Sequence, residues 1–117
     1  MKMKYNCPAE MTMTLLGGKW KVVLLYNLRR GPKRFGELKR LSPGITPSTL
    51  TQQLREMEEM QFVSRSNVGK EKLEGVEYAL TEKGESLKPV LKALIRWGLD
   101  NQKEYAAGEF RMIEARL

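Results

Sequence analysis

The amino-acid sequence predicts a mainly α-helical domain with one small β-hairpin. Three observations carry this: apolar residues recur at helical spacing in several separate stretches, glycine and proline punctuate those stretches, and only Phe62 to Leu80 changes to strand-like runs. With 117 residues there is room for one core. Residues 1–117 are therefore read as a single domain, its core spanning about 7–98 and a helical tail about 99–117.

Residues 1–6 are expected to fray. Pro8 to Leu16 suits a short helix, with Pro8 at the first helical position and Cys7 as N-cap. Gly17 and Gly18 interrupt it, and Leu16, Trp20, Val23, Leu24 and Leu28 form the stripe of a second helix ending before Gly31 and Pro32. A short extended piece, Lys33 to Phe35, leads into a two-turn helix marked by Leu38 and Leu41 and closed by Ser42, Pro43 and Gly44. Thr46 then serves as N-cap and Pro47 as first-turn proline of a helix reaching about residue 60, with Leu50, Leu54 and Met57 on one face. Two helices joined by a short glycine-bearing turn make a helix-turn-helix candidate.

Phe62 to Val68 and Val76 to Leu80 read as strands of a hairpin, the second turning Val76, Tyr78 and Leu80 inward. Their loop, Gly69 to Gly75, is too long for a tight turn and should project as a wing. Thr81 caps a long helix with a stripe of Leu87, Leu91 (or Val90), Leu94 and Trp97 and a kink at Pro89. Lys103 to Leu117 is weakly amphipathic and suits a last helix. This order is that of a winged helix-turn-helix with helices added at both ends for dimerisation.

Composition excludes much. With 41% hydrophobic and 30% charged residues the chain can bury a core. The longest uncharged apolar run, Val22 to Tyr26, is far too short to cross a bilayer, and no signal-peptide pattern is present, so a cytoplasmic protein without a membrane partner is expected. One cysteine and no histidine remove the usual catalytic triads and histidine metal sites. Neither an enzyme nor a cofactor is expected.

Charge is concentrated. Residues 19–55 hold nine cations and one anion, Glu37, while the rest of the chain nearly balances. Such a segment implies a polyanion, and nucleic acid is favoured over a membrane surface because the apolar residues are needed for the core. With Leu50, Leu54 and Met57 facing inward, Ser48, Gln52 and Arg55 point outward and Thr49 lies at the edge. Arginine can donate bidentately to guanine, glutamine can pair with adenine, and hydroxyls can serve bases or phosphates. Glu56, Glu58 and Glu59 would repel phosphate, so the N-terminal half of this helix should enter the major groove.

Lys33, Arg34, Lys39 and Arg40 are candidates to clamp the phosphate backbone. Lys70 and Lys72 at the wing tip could reach DNA, but Glu71 and Glu74 offset them and a solvated hairpin is equally compatible. Arg65 can hold a phosphate or pair with Glu77. Gly17-Gly18-Lys19 lacks the spacing, the Ser or Thr, and the preceding strand of a phosphate-binding loop; at a helix start Lys19 and Lys21 can touch a DNA phosphate, but a solvated rim around a buried Trp20 is the favoured reading.

Cys7-Pro8, Leu16-Gly17-Gly18-Lys19-Trp20, Gly31-Pro32, Arg34-Phe35, Glu37-Leu38, Leu50-Thr51, Leu54-Arg55, Tyr78, Leu80-Thr81, Gly84 and Trp97-Gly98 occur in a spacing that resembles the HxlR-type transcriptional regulators, small relatives of the MarR group. The resemblance covers about Cys7 to Gly98. It implies a homodimeric winged-helix protein that binds double-stranded DNA and acts as repressor or activator of nearby genes, with terminal helices in the dimer contact. Two departures are a wing without the prolines many members carry and a longer tail after Gly98. A dimer also follows from physics, because one short reading helix spans few base pairs and two copies on a palindrome restore specificity.

Met11, Met13, Leu15, Leu94, Trp97 and Leu99 are the interface candidates, with monomer core as the alternative. Cys7, near Lys2 and Lys4 in sequence, sits where a thiol can react with oxidants, and similar regulators use the matching cysteine to detect disulfide stress, quinones or aldehydes. Its alternative is an unreactive small residue. No feature identifies a small-molecule effector. The competing function is a winged-helix protein–protein interaction module.

Overall fold

The structure, a computed structural model, describes residues 2–67 and 75–111. Caps and breakers set its element boundaries. Cys7 is the N-cap of α1 (Pro8–Leu15), its Sγ accepting the Glu10 N–H at 3.5 Å. After Gly18, whose φ is +75°, the chain enters α2 (Trp20–Asn27). β1 (Lys33–Arg34) leads directly into α3 (Phe35–Arg40), where the Arg34 N–H donates to Glu37 Oε1 at 3.1 Å. The Glu37 carboxylate thereby caps the positive end of α3.

The turn from α3 to α4 (Pro47–Glu59) passes through Gly44 at φ +91°. Buried Asn27 holds that turn, with Nδ2 donating to Leu41 O at 3.1 Å and to Ser42 Oγ at 3.0 Å. Thr46 caps α4 by accepting the Thr49 N–H at 3.2 Å. The helix ends with Gln61 in the left-handed region at φ 65°, Phe62 N–H bonding to Met57 O and Gln61 N–H to Glu58 O.

β2 (Val63–Asn67) and β3 (Val76–Leu80) pair antiparallel, and β1 joins β3 on its other edge, giving the order β1-β3-β2. The extended piece before α3 is thus the third strand of the sheet. Thr81 caps α5 (Glu82–Glu85), which is followed by α6 (Lys88–Asp100) and the single turn α7 (Gln102–Tyr105). Leu24 and Leu25 of α2 and its C-cap residue Leu28 meet Leu38, Leu50, Leu54 and Met57 in the core, closed by Phe62 and Val63 from the sheet side and Leu91 from α6. Each such side chain contributes about 1.5–3 kcal/mol by leaving water. Among the described residues no helix is long and apolar enough to cross a membrane.

The mainly helical winged architecture agrees with the sequence, and four details differ. The helix after Thr81 is two helices: Pro89 lacks an N–H and clashes with a helical carbonyl four residues back, so the chain restarts with Pro89 in the first turn of α6 rather than kinking. The tail forms only the α7 turn; residues 106–111 are not helical, and residues 112–117 lie outside the described ones. Leu41 is exposed, because α3 ends at Arg40 before another turn can bring it to the core. The buried face of α2 is centred on Lys21, Leu24, Leu25 and Leu28, leaving Trp20 and Val23 half-buried. The wing tip, with Lys70 and Lys72, lies outside the described residues.

Candidate nucleic-acid interface

Helix α4 is gripped on three sides. Leu50, Leu54 and Met57 anchor it in the core. At about 100° per residue, Gln53 and Glu56 occupy one flank and Thr51 and Glu58 the other, with Ser48, Gln52 and Arg55 between the flanks and away from the core. All three of these last side chains are exposed. Thr49 is half-buried at the edge, its Oγ1 accepting from Thr46 Oγ1 at 2.9 Å within the cap.

The first flank is fixed by Lys21. Its side chain is buried, and its Nζ donates to Gln53 Oε1 at 3.0 Å and to Glu56 Oε1 at 2.8 Å. The Lys21 hydrogen bond is the main cause that holds the Glu56 carboxyl below its ordinary range. Burial opposes it, and the Lys21 charge and the Gln52 amide add to it. Lys21 is therefore not part of a solvated rim, and Glu56 meets solvent already paired. Trp20 is half-buried rather than buried, with Lys19 Nζ 4.5 Å from its ring centroid.

The second flank faces the sheet. Thr51, Arg55, Glu58, Arg65 and Tyr78 line one polar cleft of about 320 Å³. Strand register explains the arrangement: Arg65 stands opposite Tyr78, which stands opposite Lys33, in one row across the three strands. The neighbouring row is Ser66, Glu77 and Arg34. Successive residues alternate faces, so Glu77 lies across from Arg34 and on the opposite face from Arg65. Arg65 is thus placed beside α4, with Arg55.

The remaining cations lie on α3 and on the edge strand β1. Lys39 and Arg40 are exposed at the C-terminal end of α3, where the helix dipole favours positive charge. Arg34 is exposed and Lys33 half-buried at the sheet edge. Among the described residues none of Lys33, Arg34, Lys39, Arg40, Arg55 and Arg65 makes an ion pair. Such cations are available for phosphates. Sequence reasoning missed Lys21, Gln53, Thr51 and Tyr78. Lys21 was open to detection, since it precedes Leu24, Leu25 and Leu28 by three, four and seven residues and so falls on their face.

Elsewhere, Cys7 is exposed. Met11 and Met13 of α1 and Leu94, Trp97 and Leu99 of α6 are also exposed, whereas Leu15 is half-buried against the core. Trp97 is 60% exposed and stacks at 5.8 Å on Tyr105. An apolar groove of about 660 Å³ runs between α2 and α6, lined by Trp20, Val23, Leu94 and Leu99 among others.

Residues 15–106 match the family model described as HxlR-like helix-turn-helix. The chain is similar to the HTH-type transcriptional regulator YkvN of Bacillus subtilis, 46% identical over 112 residues that cover 95% of this chain and 94% of that one. Its fold is similar to that of the redox regulator HypR in its reduced form, at a TM-score of 0.77 and 42% identity, covering 82% of this chain and 94% of that one. The reduced form of the transcriptional regulator YodB from B. subtilis is also similar, at a TM-score of 0.71 and 34% identity, covering 88% of this chain and all of that one. With this match, its helix-turn-helix and its three-stranded sheet, the chain belongs to the HxlR-like helix-turn-helix family of transcriptional regulators.

Proposed function

We propose that the protein acts as a homodimer that binds a palindromic operator in duplex DNA and regulates transcription from it. Gln52 and Arg55, with Ser48 and Thr49, read base edges in the major groove, and Lys33, Arg34, Lys39, Arg40 and Arg65 hold phosphates. The observation that carries this reading is the exposed face of α4 with Arg65 beside it and further cations on α3 and β1, none of which makes an ion pair among the described residues. Direct comparison of a duplex enriched from a randomised pool with the unselected pool tests it. Arg55→Ala should lose about 1–3 kcal/mol on the enriched duplex, and affinity should fall steeply with salt through counterion release. Equal loss on both duplexes would refute the reading role. Failure of any duplex to bind, with capture of a protein partner instead, would point to the interaction module.

The dimer reading rests on exposed apolar side chains that a lone domain leaves in water: Met11 and Met13 on α1, and Leu94, Trp97 and Leu99 on α6, the last helix bordering the groove. Half of α6 packs through Leu91 and the rest carries this apolar surface outward. Trp97→Glu should yield a folded monomer in sedimentation, with DNA affinity lost alongside. A wild-type monomer at micromolar concentration would exclude the arrangement.

Redox control through Cys7 is the third element. Its exposed Sγ at the N-cap of α1 adjoins the proposed dimer surface, and the fold neighbour HypR is a redox regulator. Diamide treatment should release the wild-type protein from DNA and leave Cys7→Ser bound; identical responses would retire the switch.

A further inference from the structure

We infer that Lys21 is a positioning residue for sequence reading: by tying Gln53 and Glu56 to α2, it sets the rotation of α4 about its axis and so the aim of Gln52 and Arg55. The inference rests on the DNA-reading role assigned above to α4.

Lys21 is the only buried charged side chain among the described residues. Stability gives no reason for it, because an apolar residue on the Lys21, Leu24, Leu25, Leu28 face would avoid desolvating an ammonium group, and buried ion pairs exchanged for packed apolar groups are often neutral or stabilising. What an ammonium supplies and a methyl group does not is direction. Its protons reach two acceptors one helical turn apart, Gln53 Oε1 at 3.0 Å and Glu56 Oε1 at 2.8 Å, and two points on one flank fix a helix against rotation. Selection of register is the best-attested use of a buried polar contact.

The leverage is large. A side-chain end about 6 Å from the helix axis moves by roughly 2 Å when the helix turns by about 20°, beyond the few tenths of an ångström over which hydrogen-bond lengths vary. Gln52 stands four residues before Glu56, one turn away on neighbouring faces, and its amide contributes to stabilising that carboxylate. Lys21 therefore also neutralises an acid that neighbours Gln52, which would otherwise repel the phosphates that Lys39 and Arg40 attract.

The two roles separate in a double variant. Lys21→Met alone should weaken binding to every duplex, since Glu56 is left unpaired. Lys21→Met/Glu56→Gln removes one charge of each sign. It should bind the unselected pool within about threefold of wild type, yet lose at least tenfold in the ratio of enriched-duplex to pool affinity. Anisotropy titration at fixed salt reads both numbers, and a thermal melt confirms folding. Glu56→Asp covers the case in which the double variant does not fold. It keeps both charges at a half-exposed position but withdraws the acceptor by one methylene, and should lower the ratio without moving pool affinity. A wild-type ratio in either folded variant overturns the positioning role. If wild type enriches no sequence, the reading role itself falls and takes this inference with it.

Discussion

Replacing Gly84 by alanine tests how the sheet is fixed to the C-terminal end of α4. Gly84 is buried in α5, and a methyl group on its Cα would overlap the Phe62 carbonyl oxygen, with Phe62 C and Leu80 Cδ2 both at 3.2 Å. The overlap is with main chain, so no rotamer change relieves it. Either α5 or the start of β2 must shift by on the order of 1 Å to restore an ordinary carbon–oxygen contact. Phe62 O also accepts the Thr81 N–H at 3.0 Å, and the Gly84 N–H donates to Thr81 Oγ1 at 3.0 Å, so the shift weakens both bonds. Overpacking costs about 1–3 kcal/mol and two weakened hydrogen bonds about 2 kcal/mol, while the better helix propensity of alanine offsets about 1 kcal/mol. Gly84→Ala should therefore destabilise the fold by about 3 kcal/mol, roughly 10 °C or more in Tm for a domain of this length. Gly36→Ala is the control: it lies in α3 with nothing within 4 Å of an added Cβ, and should stabilise by about 0.5–1 kcal/mol. Urea denaturation at fixed protein concentration measures both. Two substitutions of the same sign, or a Gly84→Ala protein within about 1 kcal/mol of wild type, would refute the close approach.

Asn27→Ala should cost about 2 kcal/mol in the same urea assay, because buried Ser42 Oγ and Leu41 O lose their donor. Gln61→Gly should stabilise by about 0.5–1 kcal/mol, since Gln61 holds φ 65° at the end of α4, where a side chain is strained. Acid titration tests the Lys21–Glu56 pair. Its carboxyl is depressed in the folded state, so its contribution is complete above the ordinary value of 4.5 and is lost as the pH falls through the lower folded value. Over that window Glu56→Gln should flatten the rise of stability with pH, and an unchanged slope would disprove the linkage.

The elements that could be read from sequence are those whose signals are local. Thr46 and Pro47 announce α4 because a cap and a first-turn proline act within four residues, and Leu50, Leu54 and Met57 show its buried face by spacing alone. The exposed placement of Ser48, Gln52 and Arg55 follows from the same wheel. Lys21 escaped because its partners lie 32 and 35 residues away, and a lysine is solvated unless tertiary packing supplies acceptors. The split between α5 and α6 escaped for a related reason. The apolar stripe of Leu87, Leu91 and Leu94 runs on regardless of whether the backbone is continuous, whereas Pro89 and the contact of Gly84 with Phe62 decide where the chain breaks. From sequence alone Arg65 suits Glu77 and a phosphate equally, because only the strand register shows that Glu77 belongs to the Arg34 row.

The acids of α4 show how the two flanks act together. Three carboxylates near the C-terminus of a helix oppose its dipole, so their retention there calls for a compensating reason. Glu56 is paired by Lys21, and Glu58 shares its cleft with Arg55 and Arg65, which leaves Glu59 exposed on the same side of the wheel as Ser48 and Gln52. The outward face therefore changes from neutral and cationic near Ser48, Gln52 and Arg55 to anionic at Glu59, within a single helix. On the proposed DNA-binding role, a polyanion approaching this face would be drawn to the N-terminal half and repelled from the last turn, tilting the helix into a groove by its N-terminal end. Lys21 and Arg65, on opposite flanks, confine negative charge to the end of α4 that should stay outside the groove.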